Sequence, residues 1–187
     1  MVSRSPILGY HGCDRDTALK IVAGQEQQIP SRNEYDWLGG GLYFWEDSFS
    51  RAMRWAQNDR SGKIKTPAVL GAIIDLGNCL NLIDTEHLGL VKTAYNVYRE
   101  ICTASGLQPL ENKGKGRDFR ARHLDRIVIE TLHNLRKEKN EQPFDTVRAF
   151  FVEGEPLYAN AGLRSLDHIQ ICVRNPAKIV GYFLPRA

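Results

Sequence analysis

The order of apolar runs along the chain predicts an α+β fold. Runs of strand length occur near both ends, whereas helical periodicity follows the first run and fills the middle. The chain has 187 residues, of which 42% are apolar and 25% are charged. That is enough material for one ordinary hydrophobic core, so we expect a single domain over residues 1–187.

The first strand is expected at residues 7–10 and ends at His11 and Gly12. It would deliver a histidine to its C-terminal edge. A helix is predicted at residues 14–23, because an acidic first turn precedes apolar side chains at helical spacing and Gly24 can end it. The polar residues 25–35 are typical of a surface loop.

A glycine cluster, residues 39–41, runs directly into an aromatic strand that contains Tyr43. Glycines permit positive φ and allow a ligand to lie against bare backbone. Asp47 or Ser48 can cap the helix that follows. This helix carries Ala52, Met53, Trp55 and Ala56.

The middle of the chain is expected to be a helical insert at about residues 88–140. Buried strands at 68–75 and 79–83 precede it, and it contains helices at 88–101 and 119–139 joined by a loop at 106–116. The chain then returns to strands at 147–152, 169–173 and 179–184, with a loop at 154–167. We expect the last two strands to be antiparallel neighbours.

Composition excludes several classes of protein. No apolar run approaches the length of a membrane helix and no secretory signal is present, which predicts a cytoplasmic protein without membrane contact. The four cysteines lack metal-ligand spacing, so we expect reduced thiols and no metal. They are Cys13, Cys79, Cys102 and Cys172.

A basic stretch in the insert could bind the phosphates of nucleic acid or of a cofactor. Its members are Lys113, Lys115, Arg117, Arg120, Arg122 and Arg126, with Lys137 and Lys139 further on. Interspersed acidic residues favour the simpler interpretation of a solvated helix face. The net charge of +3 does not by itself indicate nucleic acid.

Three motifs in order resemble the poly(ADP-ribose) polymerase and diphtheria-toxin class of ADP-ribosyltransferases. They are Tyr10-His11-Gly12, then Gly39-Gly40-Gly41-Leu42-Tyr43-Phe44, and then a helix with Ala52 and Trp55. In that class a histidine, a tyrosine and a late-strand glutamate form a triad, and Gln170 stands at the glutamate position here. The resemblance covers the first sixty and the last forty residues and is greatest to bacterial stand-alone members.

The resemblance implies a fold in which split antiparallel or mixed sheets surround an NAD⁺ cleft, with NAD⁺ as substrate and no metal. His11 would hydrogen-bond a ribose hydroxyl, and the Gly12 backbone would pair with the nicotinamide carboxamide. Tyr43 would supply an aromatic face for the cationic ring, and Trp55 an opposing wall. Gly41 would let the cofactor approach the backbone.

Cleavage of the glycosidic bond passes through an oxocarbenium-like species that a nearby carboxylate stabilises. Gln170 can orient the ribose, but it carries no negative charge. Glu153, at the end of the preceding strand, is the first candidate for the missing carboxylate. Glu155 and Asp167 are the others, and Asp167 lies in the loop that shapes the acceptor site in this family.

The function expected from the resemblance is transfer of one ADP-ribose from NAD⁺ to a macromolecule, either protein or nucleic acid. Bacterial toxins and defence factors of this superfamily act in this way, some against an antitoxin or immunity partner. Polymer extension is not expected with Gln170 in place of glutamate. NAD⁺ glycohydrolysis and catalytically silent binding of NAD⁺ or ADP-ribose are the alternatives.

Structural roles compete with each of these assignments. His11 could be a hydrogen-bonded histidine at a strand end, and Trp55 could be an ordinary core residue. Because side chains alternate along a strand, at least one of the aromatic residues 43–45 must be buried in the core. Glu153 and Glu155 could lie in a solvated turn.

Overall fold

The computed structural model describes residues 6–115 and 118–186. Within that part of the chain, four α-helices and nine strands form an α+β structure. The helices are α1 (Arg15–Val22), α2 (Phe49–Gln57), α3 (Thr85–Ala104) and α4 (His123–Glu138). The strands are β1 (Ile7–Asp14), β2 (Leu42–Glu46), β3 (Pro67–Ile74), β4 (Cys79–Asn81), β5 (Lys113–Lys115), β6 (Asp118–Ala121), β7 (Thr146–Phe151), β8 (His168–Val173) and β9 (Ile179–Phe183).

Seven strands form one mixed sheet in the order β4-β7-β8-β2-β1-β3-β9. The β4–β7 pair is parallel and the other neighbours are antiparallel. Strands β5 and β6 form a separate two-stranded ribbon. Both chain ends therefore contribute to the centre of the same sheet, since β8 lies beside β2 and β2 beside β1.

Helices cover both faces of the large sheet. We call the face that carries Tyr43, Trp45 and Gln170 the front face; register places these side chains on one side. Helices α3 and α4 pack there over β4, β7 and β8, and α2 packs there over β1, β2 and β3. Helix α1 packs on the back face through Ala18 and Ile21. Two groups of helices, α2 and the α3–α4 pair, thus lie side by side on the front face, with the β2–β8 region between them.

Local sequence signals explain the ends of the helices. Asp14 caps α1 by accepting a hydrogen bond from the Asp16 amide, and Asp84 caps α3 in the same way through Glu86. Gly24, with φ of +69°, follows α1 as predicted. Ser48 is the N-cap residue of α2, although its side chain makes no capping hydrogen bond there.

Three predictions about the elements are wrong. The last two strands are not neighbours: β9 pairs with β3 at one edge of the sheet, because β7 and β2 already occupy both sides of β8. The second insert helix begins at His123 rather than near 119, since residues 118–121 pair with the β5 strand inside the expected loop. The first strand continues past Gly12 to Asp14, because β3 pairs along its whole length.

Part of the predicted basic stretch, Arg117, lies outside the described residues, as does Gly116 at the end of the expected loop. Arg122 lies over the Trp37 ring at 4.1 Å and forms an ion pair with Asp125, which is a packing role.

None of the helices in the described ranges is long and apolar enough to cross a bilayer. The same ranges contain no cluster of three or more His, Cys, Asp or Glu side chains placed to hold a metal ion.

Candidate functional site

Strands β1 and β2 pair only over a short stretch and then part. Their ladder consists of Gly9 with Glu46 and Tyr10 with Trp45. The Leu8 carbonyl accepts a hydrogen bond from the Asp47 amide on the β2 side. Because backbone groups alternate in direction along a strand, the Gly12 N–H and C=O also point to that side. We call the opening between Gly12 and Tyr43 the β1–β2 split.

His11 lies in this split, with its Nδ1 2.9 Å from the Tyr43 carbonyl oxygen. A carbonyl oxygen can only accept, so Nδ1 carries the proton in the neutral ring and Nε2 is left as an acceptor. Burial lowers the pKa of His11, although the hydrogen bond to Tyr43 opposes the shift. The ring is therefore neutral at pH 7 and offers one acceptor atom. Its ring centre lies 6.0 Å from that of Phe44 and 6.4 Å from that of Trp55.

Gly12 allows α2 to approach the split closely. A Cβ atom at this position would collide with the Ala52 carbonyl oxygen and would lie 3.1 Å from Cε3 of Trp55. Glycine is therefore needed at this position for packing. Trp55 is 45% exposed, so one side of its ring remains open to solvent beside the split.

The Tyr43 hydroxyl is fully engaged with the glycine turn that precedes β2. It donates to the Gly39 carbonyl at 2.7 Å and accepts from the Leu38 amide at 2.9 Å. Burial raises the pKa of Tyr43 far above its usual range, so the phenol stays protonated. Only its ring remains for contact with a ligand, since both hydrogen-bonding functions of the hydroxyl are used.

Glu130 and Arg174 hold the same turn from the other side. The Glu130 carboxylate accepts from the Gly40 amide at 2.9 Å and from both terminal nitrogens of Arg174 at 2.9 and 3.1 Å. Arg174 also donates to the Gly40 carbonyl. Burial works to raise the pKa of Glu130, but the hydrogen bonds from Arg174 and Gly40 outweigh it and the pKa is lowered. The turn is thus fixed by a charged pair from α4 and the end of β8.

Gly41 has a packing role in this arrangement. Its N–H and C=O both bond to Ser31, at 3.1 and 2.8 Å. A Cβ atom here would lie 2.5 Å from the Cys172 sulfur, so glycine lets the turn lie against β8. Both backbone groups of Gly41 are therefore already used.

Gln170 lies on β8 directly opposite Trp45 of β2. On its other side it faces Ala149 of β7. Tyr43 and Gln170 are diagonal neighbours on the front face, and Tyr10 of β1 is two strand spacings from Gln170, or about 10 Å. The structure therefore gathers Tyr43 and Gln170 on the front face and His11, Gly12 and Trp55 at the adjacent split.

A cluster that the sequence did not reveal lies next to Gln170 on the front face. The Arg51 guanidinium lies 5.3 Å from the centre of the Trp45 ring and bonds to a Glu153 oxygen at 2.9 Å. His168 donates from Nδ1 to the Leu166 carbonyl at 2.6 Å, and that nitrogen is 3.7 Å from Glu153. We call Trp45, Arg51, Glu153 and His168 the Arg51 cluster.

Three buried nitrogens of the Arg51 cluster have no hydrogen-bond partner among the described residues. They are Nε1 of Trp45, Nε of Arg51 and Nε2 of His168. Burial lowers the pKa of His168, and the nearby Arg51 charge adds to this effect, so the ring is neutral at pH 7. Buried polar atoms without partners are rare and often mark a place that water or a ligand completes. Strand alternation from Gln170 could have placed His168 on the same face, and helical spacing could have placed Arg51 beside Trp55.

The three candidate carboxylates have different surroundings. Glu153 is paired with Arg51. Asp167 accepts from the Glu153 and Arg164 amides at 3.1 and 2.9 Å, so both of its oxygens stabilise the loop before β8. Glu155 is exposed in that loop. Glu153 is therefore the one that lies beside the β8 residues of the front face.

A separate apolar cavity of about 500 Å³ lies between α3, α4 and β7. Leu82, Val91, Val128 and Phe151 are among its lining residues. It contains none of the residues that the resemblance assigns to NAD⁺ binding, although Arg122 of the basic stretch lines it, and its walls belong to the core beneath the insert. We therefore place the candidate site at the β1–β2 split.

No protein-family model matches this chain, and no solved structure matches it. The chain is similar to an uncharacterised protein of the archaeon Methanocaldococcus jannaschii. The two are 27% identical over 189 aligned residues, which cover 91% of this chain and 83% of the archaeal protein.

Proposed function

We propose that the chain has an ADP-ribosyltransferase-like fold and binds NAD⁺ with its nicotinamide end at the β1–β2 split. The observation that carries this proposal is the parting of β1 from β2 just where Gly12 directs its N–H and C=O outward. A carboxamide has one donor and one acceptor side, which match a backbone N–H and C=O on one residue. The partly exposed indole of Trp55 lies beside these groups and can stack on the flat, cationic nicotinamide ring.

The other residues fit roles around this position. Nε2 of His11 is an acceptor and can receive a ribose hydroxyl, whereas a titrating base is not required there. The Tyr43 ring and Trp55 would bound the nicotinamide. Gln170 would hold the ribose 2′-hydroxyl through its amide. Gly41 supports the site by packing, since Ser31 already uses its backbone groups.

The reaction we propose is transfer of a single ADP-ribose to a macromolecular acceptor, protein or nucleic acid. The bond between ribose C1′ and the nicotinamide nitrogen breaks, and its electron pair neutralises the pyridinium. A nucleophilic atom of the acceptor bonds to C1′ and loses its proton to solvent. Glu153 would stabilise the positive charge that develops on the ribose. A bacterial toxin or defence factor, held in check by an antitoxin or immunity partner, is a role that suits such a reaction.

One observation favours a second candidate. Glu153 is neutralised by Arg51 at 2.9 Å, and Gln170 is uncharged. A site that grips NAD⁺ without a free carboxylate suits a silent binding module of NAD⁺ or ADP-ribose, or a slow glycohydrolase in which water is the acceptor.

Incubation with NAD⁺ labelled in the adenylate part separates these functions. Label moves to a macromolecule in a transferase, is released as ADP-ribose by a glycohydrolase and stays in NAD⁺ with a silent module. Titration calorimetry measures uptake itself. Trp55→Ala should weaken NAD⁺ binding about tenfold or more, because it removes an aromatic wall beside a cation. Tyr158→Ala, at a residue 64% exposed in the loop before β8, is the matched control and should leave uptake unchanged. Absence of NAD⁺ uptake by the unaltered chain would overturn the proposal.

A further inference from the structure

Positive charge is concentrated on two segments of the chain, each with a net charge of +4: residues 113–122 of the basic stretch in the insert, and α2 with the loop that follows it. Residues 51–66 contain five basic side chains and one acidic one, a net charge of +4, whereas the whole chain has a net charge of +3. The basic members are Arg51, Arg54, Arg60, Lys63 and Lys65. Such a concentration on one short segment attracts polyanions.

Two carboxylates fix the shape of this loop from within. Asp59 accepts from the amides of Ser61, Lys63 and Ile64 at 3.0 to 3.1 Å. Asp14 accepts from the amides of Lys65 and Thr66 at 2.7 and 2.9 Å. These hydrogen bonds lower the pKa of both carboxyl groups, so both stay ionised at pH 7. The loop is held in one conformation while its basic side chains point into solvent.

A pocket of about 370 Å³ lies where this loop meets the Arg51 cluster. Its lining residues include three arginines, Arg51, Arg54 and Arg60, two carboxylates, Asp59 and Glu153, and also Trp55 and Asn58. Arg54 and Arg60 are exposed, and within the described ranges neither side chain has an ion-pair partner. Arg51 adds a buried Nε without a partner at the inner wall. The pocket therefore combines two cations without ion-pair partners in the described part of the chain, one amide and a half-exposed indole, while its two carboxylates are bound by the loop amides and by Arg51.

We propose that this pocket and the adjoining loop bind single-stranded nucleic acid. Arg54 and Arg60 would contact successive phosphates, with Lys63 and Lys65 continuing the track, while Asn58 and Trp55 would face a base. A duplex is a poor fit, because reading it needs a helix or ribbon that enters a groove. An anionic membrane surface is also a poor fit, since the cations surround a concave pocket with a single exposed aromatic ring.

The inference rests on the proposed function in one respect: the bound strand would be the acceptor of ADP-ribose. Trp55 lies at the border between the β1–β2 split and the pocket, so a strand in the pocket would lie next to the nicotinamide end of the cofactor. Binding of the strand itself does not require NAD⁺. It can therefore be tested without the cofactor.

Fluorescence anisotropy with labelled single-stranded DNA and RNA of about 20 nucleotides, without NAD⁺, tests the binding. The double variant Arg54→Ala/Arg60→Ala should bind about tenfold more weakly. Its plot of log affinity against log salt should be less steep by about 1.4, because two phosphate contacts are lost. Lys20→Ala/Lys92→Ala removes the same charge from exposed positions on α1 and α3, outside both basic segments, and is the control. It should bind within about twofold of the unaltered chain.

An equal loss in the two double variants would overturn the inference, because the effect would then be one of net charge. Tighter binding to vesicles containing anionic lipid than to the oligonucleotides would overturn it in favour of a membrane surface. Calorimetry with NAD⁺ on the unaltered chain is a separate readout. A chain that binds the oligonucleotide but takes up no NAD⁺ would refute the proposed function and leave nucleic-acid binding intact.

Discussion

Replacing Glu130 by alanine should destabilise the protein by loosening the glycine turn before β2. The carboxylate accepts three hydrogen bonds, two from Arg174 and one from the Gly40 amide. Both side chains of the pair are about three-quarters buried, at 24% and 22% exposure. Truncation leaves the Arg174 charge without its carboxylate and the Gly40 amide without its acceptor.

The magnitude follows from these contacts. Hydrogen bonds to a charged group contribute about 1.5–3 kcal/mol each when fully buried, and partial exposure of this pair reduces the total. We expect a loss of about 2–3 kcal/mol in the free energy of unfolding. For a chain of 187 residues this corresponds to a fall in Tm of roughly 5–10 °C. Because Tyr43 is bound to Leu38 and Gly39 of the same turn, NAD⁺ uptake should weaken as well.

Urea denaturation followed by circular dichroism measures the change in stability. Glu138→Ala, at an exposed position on the same helix, is the control and should stay within about 0.5 kcal/mol of the unaltered chain. Glu130→Gln keeps an acceptor oxygen and should cost about half as much as the alanine variant. If Glu130→Ala were no more destabilising than Glu138→Ala, the glycine turn would not depend on this ion pair.

Three further outcomes are expected. Burial, with a contribution from the Arg174 charge, lowers the pKa of His133 to about 4. The unfolded chain takes up this proton near pH 6.5, so the contribution of His133 to stability should be complete above that pH and should fall toward pH 4 by up to about 1.4 kcal/mol per pH unit. The urea midpoint of His133→Gln should therefore depend less on pH. An equal pH dependence of the two midpoints would contradict this. Gly12→Ala should force α2 away from β1 at Ala52, lower the free energy of unfolding by about 1–3 kcal/mol and abolish NAD⁺ uptake. If calorimetry found the same NAD⁺ affinity as for the unaltered chain, the close approach of α2 would not be needed. Gln170→Glu should raise the rate of NAD⁺ cleavage about tenfold or more by supplying a carboxylate, and an unchanged rate would place Gln170 away from the ribose.

Local patterns in the sequence predicted most of the elements. Apolar runs of strand length marked the strands near the two ends, and Asp14 and Gly24 marked the limits of α1. The short β5–β6 ribbon was missed, because β5 is Lys-Gly-Lys without an apolar residue and β6 is only four residues long. Such short pairs are stabilised by the chain opposite them rather than by their own composition.

These local patterns could not predict contacts between segments that are distant in the sequence. The partner of β9 depends on which strands of the sheet still have an unpaired edge once β8 lies between β7 and β2. The local sequence of β9 does not determine this. Arg51 and Glu153 are 102 residues apart and belong to no motif. The β1–β2 split was similarly hidden, since the sequence predicted a histidine at a strand end whereas β1 continues and only its ladder with β2 stops.

The Arg51–Glu153 pair links the two proposed binding events. Glu153 can stabilise positive charge on the ribose only when Arg51 does not neutralise it, and the two groups are 2.9 Å apart. An anion in the pocket would compete with Glu153 for Arg51, whose Nε already lacks a partner within the described ranges. Binding of a strand should therefore free the carboxylate, and by linkage NAD⁺ should bind more tightly in the presence of the strand. We expect a saturating oligonucleotide to increase the rate of nicotinamide release by about fivefold or more, and to do so much less in Glu153→Gln. A rate that does not respond to the oligonucleotide would mean that the Arg51–Glu153 pair is purely structural.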